Sequence, residues 1–244
     1  MNTTAVVPVG LTSADSGFSV RAKLRAKFIP WASNVVDTQR RGTQLIEIIC
    51  AQSNPRVAAG DVIALHVAGA CGGPLGTWRR YTVAGADLTT FRVVGHLAST
   101  GPGSVLLGRC VAGDSLVWRG PERGITLEPG TRWLLIGDES AVGAIEALLG
   151  PAHEHGGTTA NAFVVTENDH GNEAVGLSAN GSLTEACNWL DQNHRQTSGK
   201  PIMTGVAVIG SHALIQTVAD HVKLIGISTI RRRVYWRAGR KGME

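Results

Sequence analysis

No stretch of this 244-residue chain is apolar for the roughly 20 residues that a bilayer-spanning helix requires. Met1 to Gly17 has neither a basic start nor a sustained apolar run, so it is not a signal peptide. It reads as the flexible N-terminal stretch of a cytoplasmic protein. The cysteines are four, Cys50, Cys71, Cys110 and Cys187, and none has metal-type spacing. Their small or apolar neighbours point to buried reduced thiols, not disulfides or ligands. His153-Glu154-His155 is the one histidine cluster, in a Gly-rich loop with no helix to set two ligands on one face. A Gly-x-Gly-x-x-Gly fingerprint is missing from every strand-to-helix turn. Internal repeats, low-complexity segments and the Ser-His-Asp or paired-carboxylate patterns of hydrolases are missing too. Charged residues make up 17% of the chain, against 43% hydrophobic and 31 glycines. That balance describes a folded, turn-rich protein with room for two modest cores or one large one.

The charge that is there is unevenly spread. Residues 1–129 carry 13 basic and 8 acidic groups, residues 130–230 carry 4 and 10, and residues 231–241 carry 6 and none. The stretch from Arg231-Arg232-Arg233 to Arg240-Lys241 is therefore an isolated basic strip behind an acidic segment. No nucleic-acid motif accompanies it, and aromatic residues interleave only as Tyr235 and Trp236. It reads either as a solvated tail or as a strip facing the phosphates of a cofactor or an anionic substrate.

Two halves differ in pattern. From Phe18 to about Leu127, short apolar runs alternate with turn signals. The runs are Leu45–Ile49, Asp61–Val67, Arg80–Val83 and Phe91–Val94; the breaks include Asn54-Pro55, Gly72-Gly73-Pro74, Gly113-Asp114 and Gly120-Pro121. This spacing predicts an antiparallel barrel, with a short helix over Ser104–Cys110. Beyond Glu128-Pro129-Gly130 the pattern becomes strand, helix, strand. Buried strands are expected at Trp133–Ile136, Ala162–Thr166 and Gly205–Ile209. Helices are expected at Ser140–Leu149, at Ser182–Asn193 with a Ser182/Glu185 capping box, and at His212–Val222 with Leu214, Ile215, Val218, Ala219 and Val222 on one face. Such alternation predicts a largely parallel sheet covered on both faces. The expected division is 1–129 and 130–244.

The chemistry-bearing candidates lie at the edges of these elements. Trp78-Arg79-Arg80-Tyr81-Thr82-Val83 begins a strand after a Gly-rich loop. It is either an ordinary strand start or a place where a guanidinium fork, a phenol ring and a hydroxyl hold a flat, phosphorylated ligand. Gly101-Pro102-Gly103-Ser104 opens a helix whose first N–H groups can receive phosphate. Gly137-Asp138-Glu139-Ser140-Ala141 and Gly210-Ser211 end buried strands and open helices, where an open α/β sheet takes its ligands. Each also reads as simple packing plus an N-cap.

The set and its order resemble the siderophore-interacting protein family, a branch of the ferredoxin-reductase-like flavoproteins, over about Val57 to Gly242. The matched elements are Arg-x-Tyr-Thr, a following His, Gly-Pro-Ala-Ser, Gly-Asp-Glu-Thr-Ala and a terminal Tyr-Trp-Arg. The resemblance implies a FAD-binding barrel followed by a Rossmann-like NAD(P)H-binding domain. It places Arg79, Tyr81, Thr82 and Val83 on the flavin, with Gly101, Gly103 and Ser104 at its pyrophosphate. His96 matches the family His loosely and is equally readable as a core or surface residue. The family's nicotinamide approaches the flavin at the turn corresponding to Gly137, Asp138, Glu139, Ser140 and Ala141. Tyr235 and Trp236 either close the pocket or form an amphipathic pair on the last strand. Arg231, Arg232, Arg233 and Arg240 become candidates for an anionic substrate.

The implied activity is NADPH- or NADH-dependent reduction of a ferric siderophore through FAD, with iron release and no side-chain acid, base or nucleophile. Small-molecule substrates are expected, and neither nucleic acid nor membrane insertion. A flavoenzyme with another acceptor and a non-catalytic binding protein of the same fold are the alternatives. The departures are Ser140 for Thr, Gly143 where the family has Pro, and Gly210-Ser211 where it has Gly-Glu.

Overall fold

The computed structural model describes residues 29–53, 56–67, 77–97, 101–154, 160–166, 179–195 and 204–236. Six strands come first: β1 (Trp31–Arg41), β2 (Leu45–Ala51), β3 (Val62–Val67), β4 (Thr77–Ala86), β5 (Thr90–His96) and β6 (Ser115–Glu122). They close into a barrel in the order β1-β2-β5-β4-β3-β6, and every neighbouring pair is antiparallel. Closure removes the exposed edges that an open sheet would leave. Strand β2 alternates as expected: Ile46, Ile48 and Cys50 point into the barrel core with Val35, Ile63, Leu65, Val83, Phe91 and Trp118. The Trp118 indole is fully buried and donates its N–H to the Ser33 hydroxyl at 3.0 Å, which makes its burial affordable. Helix α1 (Pro102–Arg109) caps one barrel end by inserting fully buried Leu107.

The second half is a five-stranded parallel sheet in the order β11-β10-β7-β8-β9. Its strands are β7 (Arg132–Asp138), β8 (Ala160–Val165), β9 (Asn180–Gly181), β10 (Thr204–Ser211) and β11 (Thr229–Trp236). The helices are α2 (Val142–Glu154), preceded by a 3-10 turn at Glu139–Ala141, then α3 (Leu183–Arg195) and α4 (His212–Leu224). Helix α4 buries Leu214, Ile215, Val218, Ala219 and Val222, the face its sequence predicts. The capping box at α3 forms as read: Ser182 N donates to Glu185 Oε2 at 2.7 Å, and Glu185 N donates to Ser182 Oγ at 3.3 Å. Helix α2 continues through His153 and Glu154, where the sequence reads a loop. The side chains of that cluster lie outside the described residues, as do Met1–Gly17, Cys71 and Arg240.

The halves share a core. Leu45, Ala84 and Val94 of the barrel pack with Val142, Ala144, Ile145 and Leu148 of α2 and with Leu135 and Ile209 of the sheet. Each large buried side chain here contributes about 1.5–3 kcal/mol. Gly143 brings α2 close to the barrel: a Cβ there would lie 3.3 Å from Val94. Charge seals the rim of this seam. Glu146 of α2 meets Arg41 at 2.6 Å and Arg92 at 2.8 Å, and Glu47 meets the same two at 3.4 Å and 3.0 Å. Burial alone would lower the Arg92 pKa; Glu146 and then Glu47 more than reverse this.

Candidate functional site

The Arg-x-Tyr-Thr run divides between the two faces of β4, because successive side chains on a strand point oppositely. Arg79 and Tyr81 turn toward α1, whereas Thr82 turns toward the second domain. Helix α1 begins at Gly101, which supplies no side-chain cap, and its second residue is Gly103. A Cβ on Gly103 would overlap the Tyr81 hydroxyl, and it would sit 3.6 Å from Cγ of Arg79. Glycine therefore lets the phenol and the Arg79 stem lie directly over the helix start. The Arg79 guanidinium donates to the Trp78 carbonyl at 3.0 Å and has no carboxylate partner among the described residues. By contrast, Arg80 points to the other face and pairs with Glu122 at 3.6 Å. Burial pushes the Tyr81 pKa up, with Arg79 opposing, so the phenol stays protonated as a donor. A guanidinium, a phenol and a helix start without a side-chain cap form a donor set suited to phosphate. These residues fit the pyrophosphate of a flavin dinucleotide.

The other expected contacts are placed differently. Ser104 donates its hydroxyl to the His96 carbonyl at 2.7 Å, tying α1 to the end of β5. The His96 ring lies 3.3 Å from the Gln44 side-chain oxygen. Val83 is fully buried in the barrel core, so its side chain packs instead of meeting a ligand. Thr82 and Tyr235 share a short hydroxyl-to-hydroxyl hydrogen bond across the seam. They line a cavity of about 10 Å³ together with Ile125, Ile209 and Arg233, room for about one water molecule. Burial pushes the Tyr235 pKa up, against the Thr82 bond and Arg233, which lower it. A larger cavity of about 540 Å³, the size of a small-molecule site, borders Pro102, Leu106 and Arg109 of α1 and His66 and Val67 of β3.

Three further expectations are corrected by packing. Ala141 is fully buried and, with Gly137, belongs to the interior: a Cβ on Gly137 would lie 2.6 Å from the Ala141 methyl. Trp236 is 44% exposed and lies on the opposite side of β11 from Tyr235, so the two do not close one pocket. The described part of the basic strip, residues 231–236, is a β-strand, and alternation separates its three arginines. Arg231 forms an ion pair with Glu128, Arg232 is exposed on the far face, and Arg233 lines the seam cavity.

The carboxylate at the end of β7, expected at the nicotinamide turn, is held by the backbone of two turns. Asp138 is 8% exposed. Its Oδ1 accepts from Ser140 N at 3.1 Å and from the Ser140 hydroxyl, and its Oδ2 accepts from Ser211 N at 2.7 Å. Glu139 beside it is 7% exposed. Among the described cysteines, burial, with a smaller push from Cys110, raises Cys50 to about 12, and burial also raises Cys110 and Cys187, which disfavours the reactive thiolate at each. No helix among the described residues is long and apolar enough to cross a membrane.

No family model matches the chain, and no curated protein matches it at a significant level. Solved structures do. A siderophore utilization protein from T. fusca aligns over 88% of this chain and 95% of its own, with TM-score 0.66 and 18% identity. The siderophore-interacting protein SipS from Aeromonas hydrophila aligns over 86% and 92%, with TM-score 0.65 and 18% identity. A ferredoxin NADP+ reductase from Neisseria gonorrhoeae with bound FAD and NADP aligns over 85% and 99%, with TM-score 0.67 and 15% identity. The closed antiparallel barrel followed by the five-stranded parallel sheet is thus the ferredoxin-reductase-like fold that siderophore-interacting proteins also adopt.

Proposed function

We propose that this chain is a flavin-dependent oxidoreductase and a divergent siderophore-interacting protein. In this reading NADPH or NADH supplies electrons, FAD carries them, and a ferric siderophore receives them and releases iron. The observation that carries it is the convergence of Arg79, Tyr81 and Gly103 at the start of α1. Residues 1–129 then form the flavin unit and residues 130–244 the donor unit. The flavin, when bound, supplies the step from two-electron to one-electron transfer. Arg79 and the first N–H groups of α1 hold the pyrophosphate. The Tyr81 phenol donates beside them, and the Thr82 hydroxyl, on the opposite face of β4, meets the polar edge of the ring system once Tyr235 turns aside.

The protein purified with FAD and kept anaerobic should be yellow and should bleach on adding NADPH or NADH. A protein that stays colourless after incubation with FAD overturns the reading. Tyr235→Phe should release the Thr82 hydroxyl for the flavin edge. FAD affinity, read by quenching of flavin fluorescence, should tighten several-fold, while unfolding free energy falls by about 1 kcal/mol. Unchanged FAD affinity would show that Thr82 does not touch the ring.

Among the described residues of the strip, Arg233 is the cation that reaches the seam, so it is the one proposed to draw in an anionic acceptor. Arg233→Gln should raise the Michaelis constant for a carboxylate- or catecholate-bearing ferric chelate by about three- to tenfold at low salt, and less at high salt. Arg232→Gln, on the far face, should leave it unchanged. Equal effects of the two substitutions would return the strip to a general surface charge.

A further inference from the structure

The sheet order β11-β10-β7-β8-β9 runs outward from β7 in both chain directions, so the topological switch point lies between the ends of β7 and β10. In open α/β sheets the crevice at that point receives the ligand, and the backbone N–H groups of the helix starts beside it receive phosphate. Here those N–H groups are already engaged. Asp138 takes Ser140 N from the turn after β7 and Ser211 N from the turn after β10. One side chain thus bridges both turns with a carboxylate where a phosphate would sit.

The backbone around it is adapted to that occupant. Gly210 adopts φ +137°, which side-chain-bearing residues rarely do, and a Cβ there would come within 2.5 Å of the Asp138 carboxylate. Glu139, next to Asp138 and equally buried, adds a second acid to the turn. The Ser211 hydroxyl is also taken, accepting from Leu214 N at 3.2 Å as the cap of α4.

We propose that Asp138 is a specificity-determining residue: a built-in anion that fills the switch-point phosphate site and excludes a dinucleotide pyrophosphate from it. A nicotinamide donor, in the reading above, then reaches the seam without being anchored by its phosphates at these two turns. Dinucleotide affinity should accordingly be poor.

The test uses the full purified chain and ADP, the fragment that carries the pyrophosphate, in isothermal titration calorimetry. The unmodified protein should bind ADP with a dissociation constant no tighter than millimolar. Asp138→Asn keeps the shape, removes the charge and should tighten ADP at least tenfold. A micromolar constant for the unmodified protein, or an unchanged constant in a variant with an intact thermal transition, overturns the proposal. A second measurement needs no variant. Under saturating NADP+, the backbone amide resonances of Ser140 and Ser211 should stay in place, because Asp138 holds both; marked shifts of the two overturn it equally. Neither readout involves electron transfer. Failure of the oxidoreductase reading would appear separately, as a protein that binds no flavin.

Discussion

Replacing Arg79 with alanine should yield a folded barrel that has lost most of its flavin. The guanidinium stands over the start of α1, with no carboxylate among the described residues to neutralise it. A charge-assisted contact of this kind contributes roughly 1.5–3 kcal/mol, or about ten- to hundredfold in affinity. The barrel core does not depend on it, since among the described residues the charged end bonds the adjacent Trp78 carbonyl and not the core. Flavin content measured by absorbance after purification, with a fluorescence titration for the dissociation constant, checks this. Arg80→Ala is the control, because Arg80 leaves the opposite face of β4 toward Glu122. Equal flavin content in wild type and Arg79→Ala would remove the cradle from the flavin site.

The largest loss of stability from a single polar side chain is expected at Glu146. Its carboxylate is 14% exposed and holds two arginines of the barrel, Arg41 and Arg92, while belonging to a helix of the second domain. Glu146→Ala would remove one of the two carboxylates that those cations share at the rim of an apolar seam. Fully buried pairs cost about 3–5 kcal/mol to break and exposed ones about 0–1, so roughly 2–3 kcal/mol is expected here. In a protein of this size that is a fall of about 4–12 °C in Tm. Asp220→Ala, which breaks the exposed Lys223–Asp220 pair, should shift Tm by about 1 °C or less. Calorimetry on both variants decides the matter; a Glu146→Ala protein as stable as Asp220→Ala would mean that the apolar contacts alone hold the halves together.

Much of this architecture was legible because it is written locally. The α4 face, the Ser182–Glu185 box and the change from two-residue to helical periodicity at Pro129 depend on neighbours in sequence. Strand β1 was invisible because its outward positions carry Asp37, Gln39 and Arg40, while Val35 is its one fully inward apolar residue outside the first turn of the strand. The first half of strand β11 was hidden in the same way, since Arg231-Arg232-Arg233 reads as a charge strip until pairing with β10 makes it alternate, while Tyr235-Trp236 at its end already reads as strand. Motif order placed Arg79, Tyr81 and Gly103 in one neighbourhood. It could not show that Thr82 and Tyr235, 153 positions apart, would bond to each other, or that Asp138 would turn inward. The first contact exists only once both domains are folded and the second only once β10 lies beside β7, and no local pattern encodes either.

The chain has two tyrosines in all, and they stand on the two sides of the candidate site. Tyr81 lies over the start of α1, and Tyr235 spans the seam to Thr82. Protein grown on fluorotyrosine would therefore carry two fluorine nuclei, each at a place of interest and with no background from elsewhere. One resonance reports on the phosphate cradle and the other on the contact between the domains. The scarcity of this residue makes the molecule its own two-channel spectroscopic probe, able to follow occupancy of the cradle and opening of the seam as separate events in one titration.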